Sequence, residues 1–335
     1  MPHVLEPPLD IPPAWERSAE QIVRHRWRII LVLGAADRGK STYCRFLTER
    51  CLAAGWRVAL LDTDVGQKTI GPPASLTLGY PQPDHALAST PPAAWYFIGA
   101  TNPVGHFLPI VVGVRHLREV ARAACIIVNT TGLVHGAGRV LKSYKIEAVQ
   151  PDVIVAIEHG HELQALLHAY RHYHILSLPP SAHARIKTSA QRRTARAHAF
   201  GTYFATASTV ELALRRVVFQ RGLLFTGRRT VQQHSLYAES MPEGVLTVGA
   251  SELATAARGR GLPVGFERNL LCGVANRRNE GLGLAIIQHI DFAREILTLS
   301  TPVPAAHIKI LQWGALYVQP DGYEVGTPVP RNLFA

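Results

Sequence analysis

A nine-residue loop in the first part of the chain has the residue types and spacing of a phosphate-binding site. The segment GAADRGKST, residues 34–42, follows the apolar run IILVL and precedes a helical pattern. It fits G-x-x-x-x-G-K-[S/T], in which glycines let backbone N–H groups face a phosphate, the lysine reaches the outer phosphates and the hydroxyl ligates Mg²⁺. The sequence therefore predicts that the chain binds a nucleoside triphosphate. The residues expected at the nucleotide are Gly34, Asp37, Arg38, Gly39, Lys40, Ser41 and Thr42.

Two aspartates follow the next apolar run, in the segment LLDTDVGQ at residues 60–67. Because side chains alternate along an extended segment, Asp62 and Asp64 lie on the same side of it. Enzymes with this type of loop place a carboxylate that serves Mg²⁺ at the end of a neighbouring strand. We therefore expect one of the two aspartates to hold the water shell of the metal and the other to face the attacking group. The alternative for Asp64 is a structural role, the capping of a turn.

A third candidate segment, NTTGLVHGAG at residues 129–138, also follows an apolar run. Thr130 and Thr131 offer hydroxyl groups, and three glycines, of which Gly132 is the first, permit close approach of the backbone to a ligand. The glycines are denser than a strand-to-helix turn requires. The segment is therefore expected to contact a ligand rather than only to connect two elements.

The fourth candidate segment, RIKTSAQRRTARAHAF at residues 185–200, is rich in arginine. In a helix Arg192 and Arg196 share one face and Arg193 lies beside it. Arginines supplied from a mobile lid stabilise the charge on a transferring phosphoryl group. The alternative is a solvated basic helix face.

Short apolar runs alternate with helical patterns from Arg26 to about Phe204. Continuous apolar strands separated by helices indicate an α/β fold, with a parallel sheet covered by helices on both faces. The phosphate-binding loop then lies between a strand and a helix, where such folds bind phosphate. The predicted strands are RIILVLG, RVALLDTD, AWYFIGA, CIIVNTTG, DVIVAIEH and HILSLP.

The sequence divides into three predicted parts. Residues 1–25 combine prolines with a short amphipathic stretch and are expected to form a leader. Residues 26–205 form the predicted nucleotide domain, which includes the arginine-rich segment. Residues 206–335 contain short β-rich runs punctuated by turns and predict a smaller, mostly β domain.

Composition narrows the classes of partner. The chain has 335 residues and a formal net charge of +11, which favours a polyanion because guanidinium groups pair with phosphate oxygens. The alternative is a solvated, arginine-rich surface. No run approaches the roughly 20 apolar residues of a membrane span, and the start of the chain lacks the pattern of a secretory signal. We therefore expect a cytoplasmic protein without a membrane partner. Four scattered cysteines are expected to be buried rather than to form disulfides.

Taken together, these segments resemble the polynucleotide 5′-hydroxyl kinases, the family of RNA kinases of pre-mRNA cleavage, tRNA splicing and ribosomal-RNA processing. Asp37 matches an aspartate in the family's loop, and DVGQKTIGPP (64–73) matches its D-x-G-Q followed by Gly-Pro-Pro. The resemblance extends to GATNPVGHFLP (99–109), to the clasp segment NTTGLVHGAG and to the lid segment QRRTARAHAFGTYF (191–204). It covers roughly residues 14–318.

The resemblance implies transfer of the γ-phosphate of ATP, or of another NTP, to the 5′-OH of an RNA or DNA end, single-stranded or at the end of a duplex. It implies Mg²⁺ as cofactor and leaves protein partners open. The implied catalytic residues are Lys40, Asp64 as proton acceptor, and Arg192, Arg193 or Arg196 above the transferring group. Thr130, Thr131 and Gly132 would contact the triphosphate, Asp62 and Ser41 would hold the metal, and Gln67 with Asp64 would bind the acceptor end.

Two other functions stay open from the sequence. One is an ATP-binding adaptor that scaffolds an RNA-processing complex without turnover. The other is a kinase that acts on a small molecule, since the basic composition is only indirect evidence for a polymer. A GTPase is disfavoured because the chain has no guanine-reading N-K-x-D motif.

Overall fold

The computed structural model describes residues 10–222, 224–249 and 260–326. The chain divides between Arg192 and Arg193 into two compact units. This division falls inside a helix that spans Ser189–Phe204. The sequence places the domain boundary at residue 206, just after the same helix.

The first unit is built on one seven-stranded sheet. Its strands are β1 (Ile29–Leu33), β2 (Val58–Thr63), β3 (Ser75–Gly79), β4 (Pro92–Phe97), β5 (Cys125–Thr130), β6 (Val153–Ile157) and β7 (His174–Leu178). The order across the sheet is β4-β3-β2-β5-β1-β6-β7. Every residue of β2, β3, β5 and β6 is buried, and for β2, β5 and β6 this burial explains why the strands read as mostly apolar runs.

Five of these strands are parallel, as the sequence predicts, but one edge of the sheet is not. Strand β3 pairs antiparallel with both β2 and β4. The segment SLTLG of β3 was not among the predicted strands. The connection from β2 to β3, residues 64–74, contains no helix, and a parallel return needs a longer crossover that usually contains one. The short connection therefore gives the sheet an antiparallel edge.

Six helices are described, and those of the first unit cover both faces of the sheet. They are α1 (Pro13–His25), α2 (Lys40–Ala53), α3 (Phe107–Val120), α4 (Ala137–Val149), α5 (Gln164–Ala169) and α6 (Ser189–Phe204), with 3₁₀ turns at Leu87–Ser89, Leu214–Arg216 and Ala305–His307. Alternate residues of β1 face opposite cores: Ile30 packs with α1 and α2, whereas Leu31 packs with α3, α4 and α5. The predicted α/β class is confirmed.

Helix α1 packs into the core of the first unit. Its Trp15 side chain is fully buried, and Trp15 Nε1 donates to the Pro179 carbonyl at 2.9 Å. An amphipathic helix must bury its apolar face against another element. The second half of the segment predicted as a leader is therefore part of this unit.

The second unit is mostly β, as predicted. Its strands are β8 (Ser208–Ala213), β9 (Val218–Gln220), β10 (Arg228–Thr230), β11 (Ser235–Met241), β12 (Gly244–Gly249), β13 (Arg260–Pro263), β14 (Leu270–Ala275), β15 (Gly281–Asp291), β16 (Ile296–Thr301), β17 (Ile310–Val318) and β18 (Glu324–Val325). One sheet has the order β10-β11-β12-β13; the other has β18-β17-β14-β15-β16-β8, with β9 paired to β17. All four cysteines are free and buried. No described helix is both long and apolar enough to cross a membrane.

Candidate active site

The loop at residues 34–42 connects β1 to α2 and has the backbone of a phosphate cradle. Gly39 adopts the left-handed conformation, with φ of 86°, directly before α2 begins at Lys40. A Cβ on Gly34 would lie 2.5 Å from the Ile157 carbonyl oxygen, so a larger residue there would displace β6. The first N–H groups of α2 receive no side-chain cap. Uncapped N–H groups at a helix N-terminus bind anions well, so the residues present fit a bound triphosphate.

Lys40 is folded into this loop. Its Nζ donates to the Ala35 carbonyl at 2.6 Å, and only 7% of the residue is exposed. Burial lowers the pKa of Lys40, and the charge of Asp64 opposes that shift. An ammonium that has already lost its hydration interacts strongly with an anion that enters the loop.

Asp62 is fully buried at the end of β2 and its carboxylate is saturated with donors. Oδ2 accepts from the backbone N of Thr69 at 2.6 Å and of Ile70 at 3.2 Å. Oδ1 accepts from Asn129 Nδ2 at 3.2 Å and weakly from the backbone N of Asp64. Lys68 Nζ lies 3.5 Å from Oδ2. A buried carboxylate with this many hydrogen-bond donors is fixed in place.

Asp64 differs from Asp62 because only one of its oxygens is engaged. Oδ1 accepts from the backbone N of Gly66 at 2.9 Å and of Gln67 at 3.0 Å. This is the turn cap that the sequence left open as an alternative. Over the described parts of the chain Oδ2 has no hydrogen-bond partner. One carboxylate can therefore cap the turn and still present an oxygen to a ligand.

Asn129 connects the loop to Asp62 and was missed by the sequence reasoning. Its Nδ2 lies 3.3 Å from Ser41 Oγ and also bonds Asp62. Its Oδ1 is buried without a hydrogen-bond partner among the residues described. The signal in the sequence was a polar residue near the end of the apolar run of β5, next to the two threonines that were singled out.

Two fully buried lysines of α4 donate hydrogen bonds to residues beside the candidate site. Lys142 Nζ donates to the carbonyl and hydroxyl oxygens of Thr131. Lys145 Nζ donates to the carbonyl oxygen of Thr63 at 3.1 Å and to its hydroxyl at 2.8 Å. Burial lowers the pKa of Lys145 to about 7, with Asp64 and Asp62 opposing, and burial also lowers the pKa of Lys142 well below its ordinary value. These lysines tie the ends of β2 and β5 to one helix.

The segment 129–138 approaches the phosphate-binding loop through its backbone. A Cβ on Gly132 would lie 2.6 Å from the N and Cα atoms of Ala36. Thr130 is fully buried, and its hydroxyl donates to the Val32 carbonyl at 2.8 Å. The Thr131 hydroxyl is engaged by Lys142. The contact of Thr130, Thr131 and Gly132 with a nucleotide stays a prediction, and the geometry favours the backbone at Gly132 over the Thr130 hydroxyl.

The start of the arginine-rich segment is attached to the phosphate-binding loop. The Asp37 carboxylate accepts from the Arg192 guanidinium and from the backbone N of Lys187 at 3.1 Å. Gln67 Nε2 donates weakly to the Arg192 carbonyl at 3.4 Å. The structure thus brings Arg192, Asp37 and Gln67 together.

The remaining predicted arginines have different surroundings. Arg38 forms a two-fold ion pair with Glu162, with both N–O distances at 2.9 Å, which lowers the pKa of Glu162. Arg196 is paired with Glu324 within the second unit. Arg193 is exposed. Their predicted roles at a nucleotide stay predictions.

Comparison with known proteins identifies the family. The family model described as "mRNA cleavage and polyadenylation factor CLP1 P-loop" matches residues 34–206, which include all the segments described above. The chain belongs to the CLP1 P-loop family.

The relatives of this CLP1-family chain cover nearly its whole length. The polyribonucleotide 5′-hydroxyl-kinase of Methanocaldococcus jannaschii is 31% identical, over 89% of each chain. That of Pyrococcus furiosus is 30% identical, over 95% of each. The structure titled "wild-type Clp1p-Pcf11p (454 -563) complex" superposes with a TM-score of 0.65 at 10% identity, over 90% of this chain and 78% of that one, and supports the fold alone.

The substitution Thr130→Val tests whether the Thr130 hydroxyl serves the sheet or the nucleotide. Because that hydroxyl bonds Val32 inside the sheet, we expect a loss of about 1 kcal/mol in the free energy of unfolding and an unchanged KM for ATP. Denaturant unfolding and steady-state kinetics measure the two quantities. A tenfold higher KM with unchanged stability would contradict this assignment.

The substitution Lys145→Met tests the buried lysine. The pKa of Lys145 is lowered to about 7 in the folded chain, so between about pH 7 and 10 the unfolded chain binds the extra proton and stability rises with pH. The wild type should show this rise in the free energy of unfolding, and Lys145→Met should show a shallower one. Lys309→Met controls for the loss of a lysine elsewhere. Identical slopes in the wild type and Lys145→Met would refute the buried, neutral lysine.

Proposed function

We propose that this CLP1-family chain is a polynucleotide 5′-hydroxyl kinase, which transfers the γ-phosphate of ATP or another NTP to the 5′-OH of an RNA or DNA strand. The observation that carries this proposal is the hydrogen bonding of the Asp64 carboxylate. One of its oxygens caps a turn, and the other has no hydrogen-bond partner among the described residues. The relatives named polyribonucleotide 5′-hydroxyl-kinases support the reaction. A cytoplasmic location stays a prediction from the sequence.

The nucleotide fits the loop at residues 34–42, and Mg²⁺ fits Ser41 with its neighbours. Across the described residues no three His, Cys, Asp or Glu side chains cluster as a metal site, and Mg²⁺ in such enzymes is held largely by phosphates and water. Ser41 would ligate the metal directly. Asp62 would act through Asn129 and metal-bound water, because protein donors occupy both of its oxygens. When bound, Mg²⁺ would neutralise negative charge on the triphosphate during the transfer.

Asp64 would accept the proton of the 5′-hydroxyl. A hydroxyl is a weak nucleophile, and a carboxylate within hydrogen-bond reach accelerates its attack by accepting the proton. The bonds from Gly66 and Gln67 hold Oδ1 and so set the direction in which Oδ2 is presented. Gln67, which contacts the start of α6 through Arg192, would orient the acceptor end.

Arg192 is the arginine that the structure favours for the transferring group. Its guanidinium already pairs with Asp37 in the phosphate-binding loop, whereas Arg196 is held by Glu324. A guanidinium beside the loop can stabilise the charge that spreads over the γ-phosphoryl oxygens. Lys40 would neutralise the same oxygens from the other end of the loop.

The substitution Asp64→Asn separates a catalytic carboxylate from a turn cap. Asparagine keeps the acceptor oxygen for Gly66 and Gln67 but cannot accept the hydroxyl proton. We expect kcat to fall about 10²–10⁴-fold with nucleotide affinity largely kept, measured by transfer of labelled γ-phosphate to a 5′-OH oligonucleotide. A near-normal kcat would leave Asp64 with the capping role alone, and wild-type protein that labels no such end would favour the adaptor.

The substitution Arg192→Ala tests the lid. We expect kcat to fall by about 10²-fold or more, since an arginine at the transferring group is worth this much or more, while KM for the oligonucleotide changes little. Asp37→Asn is the matched control, because it weakens the ion pair but leaves the arginine in place. A near-normal kcat for Arg192→Ala would remove the arginine from the transfer step, whereas a comparable loss in both variants would mean that the ion pair with Asp37 is what positions the arginine.

A further inference from the structure

A second group of basic and aromatic side chains lies at the opposite edge of the sheet from the phosphate-binding loop. The parallel strands β2, β5, β1, β6 and β7 are neighbours in that order, so their amino ends share one edge. Arg57 precedes β2, Arg122 lies before β5, Arg28 precedes β1, and His174 begins β7. We call Arg28, Arg57, Arg118 and Arg122, with His25, Trp27 and His174, the amino-edge surface.

Three of these arginines line one pocket. It has a volume of about 480 Å³ and is lined by Arg28, Arg57, Arg122 and the alanines around Arg122. The Arg57 carbonyl accepts from the backbone N of Ala124 at 2.9 Å, and the Arg28 carbonyl accepts from that of Ile126 at 2.7 Å. These bonds fix Arg28 and Arg57 beside the loop that carries Arg122. An adjoining pocket of about 330 Å³ adds Arg118, Glu119 and Asp152.

Neither acid that lines the adjoining pocket forms an ion pair with these four arginines among the described residues. Glu119 pairs with Arg115 at 2.6 Å, outside the lining. The Asp152 carboxylate accepts from backbone N–H groups at residues 28 and 29. Arg28 and Arg118 have no ion pair within the described ranges, and Arg118 Nε is buried there without a hydrogen-bond partner.

Among the residues that the structure describes, the other two guanidinium groups contact neutral partners only. Arg122 donates to backbone carbonyls. Arg57 lies over the Tyr80 ring at 5.1 Å. Several arginines without carboxylate partners suit phosphate oxygens, which a guanidinium binds two at a time.

An aromatic stack continues this surface along the same edge. Trp27 stacks on His25, with ring centroids 4.9 Å apart, and meets His174 at 5.1 Å. Both histidines are exposed, whereas Trp27 packs against the core. Nucleic-acid bases stack on aromatic and imidazole rings in proteins that bind single strands. A base can therefore continue the stack beside the arginines.

We propose that the amino-edge surface binds a single-stranded stretch of nucleic acid, with its phosphates on Arg28, Arg57 and Arg122 and a base on the histidine–tryptophan stack. This proposal rests on the proposed function, because the strand would be the body of the polynucleotide whose 5′ end reaches Asp64. Four strand spacings make the surface about 19 Å wide, and a five-residue strand separates it from the loop by about 17 Å. Because helices cover both faces of the sheet, the nucleic-acid strand must run around them, so an oligonucleotide of about 20 nucleotides can occupy both sites and one of about 3 nucleotides cannot.

The test compares a triple variant with a charge-matched control. The variant carries Arg28→Ala, Arg57→Ala and Arg122→Ala. The control carries Arg215→Ala, Arg268→Ala and Arg294→Ala, at exposed positions of the second unit. Fluorescence anisotropy measures the Kd of 5′-OH oligonucleotides of about 3 and about 20 nucleotides over a range of salt concentrations.

The triple variant should bind the longer oligonucleotide about tenfold more weakly, and its slope of log K against log salt should be shallower by about 2, for three lost phosphate contacts. The shorter oligonucleotide and its kcat should be unaffected, and the control should behave as wild type. His174→Ala, which removes an exposed ring, should weaken the longer oligonucleotide about fivefold with the salt slope kept.

Equal losses in the triple variant and the control would reduce the effect to net charge and overturn the proposal. Normal binding of the longer oligonucleotide by the triple variant would also overturn the proposal. This holds even if the variant has lost the binding of inorganic phosphate, because the surface would then bind the small anion and not the polymer. Because binding is measured without turnover, a wild type that labels no 5′-OH end refutes the proposed function separately from this surface.

Discussion

The buried carboxylate of Asp62 is the interaction on which the arrangement of the site depends. A charge with no exposure is costly unless hydrogen bonds replace its hydration, and here the donors come from the loop after β2, from Lys68 and from Asn129 of β5. Asn129 in turn reaches Ser41 at the start of α2. One carboxylate thereby fixes the ends of two strands and the phosphate-binding loop relative to one another.

Buried lysines complete this arrangement. The amino groups of Lys40, Lys68, Lys142 and Lys145 are all largely shielded from water, and burial lowers the pKa of each while Asp64 opposes the shift. Lys142 and Lys145 hold the backbone of Thr131 and Thr63. Groups that are already desolvated and fixed need little reorganisation when charge develops nearby, which is the main source of electrostatic catalysis. The polar interior of this unit therefore serves the site rather than stability alone.

The parts of the fold that local sequence determines could be predicted. The phosphate-binding loop, the position of Asp62 and Asp64 at the end of a strand, and the helices beside the sheet follow from spacing and periodicity. Strand β3 was not predicted, because five residues between turns carry little periodic signal. Its antiparallel pairing follows from the short connection at residues 64–74, which contains no helix. The prediction from the sequence did not take the length of this connection into account.

The parts that depend on tertiary contacts could not be predicted. The patterns of α4 gave no reason to bury Lys142 or Lys145, whose partners are backbone atoms of other elements. The Thr130 hydroxyl turns into the sheet towards Val32, which the order of residues does not reveal. Arg192 and Arg196 share a helical face, yet they pair with acids far apart in the chain, Asp37 and Glu324. The sequence identifies these residues as candidates, but it does not determine their hydrogen-bond or ion-pair partners in the folded chain.

The most direct measurement of the central claim is a structure of the chain with Mg²⁺, a non-hydrolysable ATP analogue and an oligonucleotide that carries a 5′-OH. We expect the 5′ oxygen about 3 Å from the Asp64 carboxylate and in line with the γ-phosphorus, with Asp62 still bonded to Asn129 and to the backbone of residues 69–70. A 5′ end bound away from the loop, or an Asp64 carboxylate that only caps its turn in the complex, would contradict it.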